Sequence, residues 1–112
     1  MNKMIEIAYK ALEDKKGENI KVFDISKIST ISDYFIIVNG TNSNQVQALA
    51  DNVCDELQKA GYDYRAIEGY NSANWILIDF NDAIIHIFDQ DSRVFYDLER
   101  IWKDADEVNM EQ

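Results

Sequence analysis

Two apolar runs separated by two polar residues constrain this chain more than any other feature. Trp75 to Phe80 (WILIDF) and Ala83 to Phe88 (AIIHIF) flank Asn81-Asp82, residue types that tolerate a positive φ, and the segment reads as a β-hairpin. A two-residue loop sets Phe80 opposite Ala83, Ile78 opposite Ile85 and Ile76 opposite Ile87. One hairpin face is then apolar at every position. Buried CH₂ groups are worth about 0.8 kcal/mol each, so that face must pack on helices. The opposite face holds Trp75, Leu77, Asp79, Ile84, His86 and Phe88. Aromatic and aliphatic area mixed with charge is what a protein-binding surface needs, the rings giving contact area and the charges giving register. The structural alternative is a covering helix, with Asp79 and His86 satisfying each other as diagonal neighbours about 7–8 Å apart.

The rest of the chain supplies the layers. Ile5, Ala8 and Leu12 recur at helical spacing over Met4 to Lys15, and Gly17 follows as a stop. Ile20 to Ile25 reads as a strand. Tyr34 to Asn39 (YFIIVN) is nearly continuously apolar and reads as a central strand covered on both faces. The turn Gly40 to Asn44, with Ser43 or Asn44 as cap, leads into a helix with the stripe Val46, Leu49, Ala50, Val53, Leu57, ended by Gly61. Tyr64 to Ile67 reads as a short strand. Asp91 or Ser92 is the expected cap of a last helix carrying Phe95, Tyr96, Leu98 and Trp102 as packing residues. The order α-β-β-α-β-β-β-α predicts an α/β or α+β layer structure, a mixed sheet of about five strands with flanking helices. Residues 1–104 form the expected single domain, and the acidic end at 105–112 is expected to fray.

Charge and cysteine usage narrow the partners. Eleven Lys and Arg stand against 21 Asp and Glu, a formal charge of −10. Nucleic-acid affinity comes largely from cations on phosphates, so little direct nucleic-acid contact is expected. A basic protein is the favoured partner, although acidity also serves solubility alone. No run of about 18 apolar residues is present, so no membrane span is expected. Met1 to Lys16 has no apolar h-region, and Cys54 is a lone cysteine suited to a reducing compartment, so a cytoplasmic location is expected.

Candidate chemistry is sparse. Asp79 beside His86 resembles the orienting half of a triad, but no Ser or Cys stands beside it as nucleophile. One His and one Cys make no zinc site, and Cys54 reads as a small core residue. Gly40-Thr41 at a helix start could hold a phosphate, yet it is neither a Walker sequence nor a dinucleotide fingerprint, and the plainer reading is a capped turn. Asp89-Gln90-Asp91 has carboxylate spacing but reads as a helix cap. No catalytic residue, metal or cofactor is expected.

Taken in order, SDYFII at Ser32 to Ile37, GTNSNQVQALAD at Gly40 to Asp51, EGYNSANW at Glu68 to Trp75, ILIDF, IIHIF at Ile84 to Phe88 and RVFYDLERIW at Arg93 to Trp102 resemble the ribosomal silencing factor (Iojap) family. The resemblance covers roughly residues 5 to 105. It implies a nucleotidyltransferase-like fold without catalytic residues; this chain has no Asp-x-Asp on the strand after Gly40-Thr41. It also implies binding to the large-subunit ribosomal protein uL-fourteen, a block of subunit joining, and repression of translation when nutrients are short. Trp75 and Leu77 then become expected anchors, Asp79 and Glu68 expected partners of Lys or Arg, and His86 and Phe88 further members of the docking face. Asn44 and Gln45 depart from the basic residue and His that the family often carries after its GT-S turn. Two alternatives remain at this level: residual nucleotide binding, and a homodimer through the hairpin face in the free state.

Overall fold

The computed structural model describes residues 2–110. Helix α1 (Lys3–Asp14) starts at Asn2, whose side-chain oxygen accepts from the Met4 and Ile5 amides. Its buried residues Met4, Ile5, Ala8, Ala11 and Leu12 form one stripe. Strands β1 (Glu18–Asp24) and β2 (Tyr34–Gly40) pair antiparallel. Helix α2 (Ser43–Lys59) follows, then β3 (Ala66–Glu68), β4 (Trp75–Asp79) and β5 (Ala83–Asp89). Helix α3 (Gln90–Tyr96), one 3-10 turn (Leu98–Arg100) and β6 (Asp106–Glu107) complete the order. The sheet runs β3-β4-β5-β2-β1-β6; β2 and β5 are parallel and every other pair is antiparallel.

The hairpin registers as expected: Ile76 lies opposite Ile87, Ile78 opposite Ile85, and the Phe80 amide donates to the Ala83 carbonyl. Asn81 takes the positive φ of 75°. The six apolar residues of its inner face are all buried, in one core with the stripes of α1 and α2. Strand β2 lies inside the sheet between β5 and β1, which accounts for its unbroken apolar run.

Four expectations are corrected. The α2 cap is Asn42, not Ser43 or Asn44; its side chain accepts from the Gln45 amide. The α3 cap is Asp89, in keeping with the reading of Asp89-Gln90-Asp91 as a cap but ahead of Asp91 and Ser92, and it accepts from the Ser92 amide. Helix α3 ends at Tyr96, where Asp97 turns left-handed at φ 46°, so Leu98 and Trp102 lie beyond the helix; within it, Phe95 is 80% exposed instead of packed. The acidic end does not fray over its described part: Asp106 and Glu107 pair with Asp24 and Phe23, the Val108 amide donates to the Val22 carbonyl, and Val108 and Met110 pack on the main core. The sheet therefore has six strands where about five were expected.

Candidate functional site: the outer face of the sheet

The face of the sheet opposite α1 and α2 is covered on one side and open on the other. Cross-strand pairing places Glu68, Leu77, His86 and Ile37 in one row, and Ala66, Asp79, Ile84 and Phe35 in the next. Over β5, β2 and β1, a second core gathers Phe23, Ile25, Phe35, Ile37 and Phe88 under Leu98, Trp102 and Ala105 of the irregular C-terminal segment. Trp102 meets the Phe35 ring edge-on at 5.1 Å. Toward β4 and β3 this cover stops. Trp75, Leu77, Asp79 and Ile84 are only half-buried there, and Glu68 is exposed.

The loop Gly69 to Asn74 sets where Trp75 enters the sheet. Gly69 has φ 79°, and a Cβ there would run into the Trp75 carbonyl oxygen, so only glycine fits. The Tyr70 hydroxyl donates to the Asp51 carboxylate, and the Gln47 amide donates to the Tyr70 carbonyl, fastening the loop to α2. These contacts supply the physical reason for the Glu-Gly…Trp spacing.

The structure brings the expected site residues to one face but does not leave all of them open. His86 and Phe88 are 3% and 1% exposed, so neither can contact a partner in this conformation. The C-terminal segment covers them, an arrangement invisible to strand periodicity. Asp79 and His86 do not pair. One Asp79 oxygen accepts from the Asn81 amide at 2.7 Å, and the other lies 3.3 Å from Arg65. His86 Nδ1 accepts instead from the Trp75 indole N–H at 2.9 Å. Trp75 is less free than its strand position implied: it stacks on Phe88 at 5.2 Å and lies 4.7 Å from the Tyr96 ring. Leu77, half-buried, belongs to neither of the two cores.

Accepting at Nδ1 leaves the His86 proton on Nε2, which has no hydrogen-bond partner among the described residues. Burial, with the Phe35 ring at 4.3 Å, pushes the imidazole pKa down to about 4. The unfolded chain, near 6.5, therefore binds the proton first, and stability is lost as pH falls below about 6.5. The complete loss, reached below pH 4, is about 3 kcal/mol. Denaturant titrations at pH 7, 6 and 5, above most of the carboxylate range, are expected to show this slope. His86→Gln is expected to flatten it; an equal slope in the variant would place the proton elsewhere.

The turn after β2 is closed to an anion. The Thr41 amide and hydroxyl both donate to Gln45 Oε1, at 2.6 and 2.9 Å, and Gln45 Nε2 donates to the carbonyls of Lys15 and Lys16. Gln45 thus uses the turn to join the end of α1 to the start of α2. A cleft of about 600 Å³ lies beside α3, lined by Asn19, Asn39, Arg93 and Glu99 among others. Its buried cation, Arg93, is already bound: Nε donates to Glu99, and Nη1 donates to Asn39 Oδ1 and to the Asn19 and Glu18 carbonyls. Burial and the neighbouring Asp51 and Asp55 push the Cys54 thiol up to about 11, which suits a packing role. Among the described residues, no group of three His, Cys, Asp or Glu side chains converges to hold a metal. No helix there is long and apolar enough to cross a membrane.

Sequence reasoning missed Arg93 and Phe95. Arg93 stands before three residues, Val-Phe-Tyr, whose apolar character pointed inward, and no glycine or proline marks the end of α3.

The comparisons with known proteins agree in direction. A family model described as ribosomal silencing factor during starvation matches residues 1–112. The ribosomal silencing factor RsfS of Halalkalibacterium halodurans is 38% identical over 108 residues, covering 96% of this chain and 92% of its own. That of Haemophilus influenzae is 42% identical over 99 residues, covering 88% of this chain and 97% of its own. An X-ray structure of a Chromobacterium violaceum protein matches with a TM-score of 0.89 at 32% identity, covering 100% of this chain and 94% of that one. A helix-backed mixed sheet with one half-open outer face, in a chain matched along its whole length by that model, is a member of the ribosomal silencing factor family.

Proposed function

We propose that this protein docks on the large ribosomal subunit through ribosomal protein uL-fourteen, blocks joining of the small subunit, and so represses translation under nutrient limitation. The observation that carries the reading is the open half of the outer sheet face, where Trp75 and Leu77 offer apolar area beside the carboxylates of Glu68 and Asp79, the latter shared with the exposed Arg65. Such a patch fits a partner with Lys or Arg around an apolar centre. A formal charge of −10 favours a basic ribosomal protein over ribosomal RNA. In this reading the nucleotidyltransferase-like layer serves docking and no chemistry, and the protein works in the cytoplasm without a cofactor. Two copies paired through the same face would be the free form, and a strictly monomeric sedimentation series would end that part of the proposal.

The direct test is co-sedimentation with purified large and small subunits, separately, followed by light scattering of subunit joining. Binding to the large subunit alone, with loss of joining, is expected; binding to neither, or unimpaired joining at saturation, rejects the reading. Steering by acidic side chains has its own signature. The association rate is expected to fall as ionic strength rises toward 0.15 M, where the Debye length is about 8 Å. A rate constant unchanged by salt would remove electrostatics from the account.

A further inference from the structure

Helix α3 is inverted relative to an ordinary surface helix. The residue it buries is Arg93, while Val94 and Phe95 are each 80% exposed and Tyr96 is 47% exposed. An amphipathic helix normally turns its apolar side inward and its charges outward. Here the guanidinium is fixed inside by Glu99, Asn39 and two carbonyls of the β1 bulge, and that anchoring holds the apolar residues out. The exposed rings continue an ordered series: Phe95 meets Tyr96 edge-on at 5.1 Å, Tyr96 lies 4.7 Å from Trp75, and Trp75 stacks on Phe88. Adjacent exposed apolar side chains of this size mark an interaction surface.

We propose that the outer face of α3, centred on Phe95, is a docking surface for a basic protein surface with an apolar recess, continuous with the partner surface that covers Trp75 and Leu77. The proposal rests on the docking reading above. The helix supplies the charge argument. Asp91 precedes Val94 by three residues and Phe95 by four, so its carboxylate shares their face. Asp97 follows at the helix end with the exposed Arg100 4.0 Å from its carboxylate, and the helix's own basic residue, Arg93, is turned inward. The exposed side is therefore apolar with the Asp91 carboxylate on its flank. It would repel phosphate-rich surfaces, and a twofold pairing centred on Phe95 would bring the Asp91 carboxylates of the two copies together. A partner bearing Lys or Arg around a recess satisfies both parts.

The test compares Phe95→Ala, Phe95→Leu and Leu77→Ala by titration against purified large subunits, with thermal melting of each variant. Phe95→Ala is expected to weaken binding about tenfold or more, and Phe95→Leu less, as for an aromatic interface residue. The thermal midpoint of Phe95→Ala is expected to stay within about 2 °C, since little of the ring is buried. Normal binding by Phe95→Ala beside weakened binding by Leu77→Ala overturns the inference and leaves the docking reading in place. Normal binding by both variants rejects the reading itself. A Phe95→Ala protein that unfolds, or one that loses only self-association, also overturns the proposal, because the ring would then serve packing or a second copy.

Discussion

Replacing Arg93 by methionine is expected to cost about 3–5 kcal/mol of folding stability, the range for breaking a buried ion pair by removing one partner. The Arg93 side chain is 10% exposed and is bound by Glu99, by Asn39 and by the carbonyls of Glu18 and Asn19. Methionine fills comparable volume and so isolates the polar loss from cavity formation. Asn39 Oδ1 is left without that donor in a buried position, while half-exposed Glu99 can recover water. The network does not end there, because Glu18 accepts from both Asn39 and Gln90. With a domain stability of about 5–15 kcal/mol, such a loss removes a large share. A urea midpoint shifted by that amount at unchanged slope checks it. Arg93→Lys is expected to recover only part, since one ammonium cannot span acceptors arranged around a planar guanidinium. A loss below about 1 kcal/mol for Arg93→Met would mean that α3 is held by something else.

The importance of Arg93 was hidden in the sequence for a specific reason. Apart from Glu99, its acceptors come from β1 and β2, 54 to 75 residues earlier in the chain. The Asn19 carbonyl faces it because β1 bulges between Glu18 and Lys21, with Asn19 at φ 52°. No local pattern around Arg93 encodes that meeting. The hairpin, in contrast, was legible because its determinants are adjacent: two alternating runs and a turn pair that allows positive φ at Asn81. The α2 stripe and the unbroken run of β2 were legible for the same reason. The acidic end misled because composition outweighed context. A strand of only Asp106 and Glu107 has no propensity of its own. It forms because β1 presents an open edge, Val108 and Met110 have a core to enter, and Lys21 lies 3.4 Å from Glu107.

The proposed docking face divides similarly. Periodicity placed Trp75, Leu77, Asp79, His86 and Phe88 on one side of the hairpin, and the register agrees. It could not reveal which of them would be covered, because the cover is a 3-10 turn and turns carrying Leu98, Trp102 and Ala105. The outer face is thus a second core under that segment and a surface only along β4 and β3. Trp75 stands at the boundary between the two.

That position gives Trp75→Ala a double consequence. Its indole N–H is the bond that satisfies His86 Nδ1, and its ring stacks on Phe88 and leans on Tyr96. Alanine removes the rings' contact and leaves a buried imidazole with neither nitrogen paired among the described residues. A fully buried Trp→Ala costs about 3–5 kcal/mol, and half-burial here places the expected loss near 3 kcal/mol. A domain of this size then melts about 10 °C or more lower. Docking is expected to suffer separately. Measured at a temperature where the variant is fully folded, large-subunit affinity is expected to fall about thirtyfold, as for a Trp near an interface centre. Trp75→Phe separates the two effects. It keeps a ring on Phe88 but loses the N–H, so a stability loss of about 1–2 kcal/mol is expected with affinity largely retained. An unchanged melting temperature for Trp75→Ala would contradict the packing described for the indole. Normal large-subunit binding by the folded variant would remove Trp75 from the docking face, leaving Leu77 as its apolar centre.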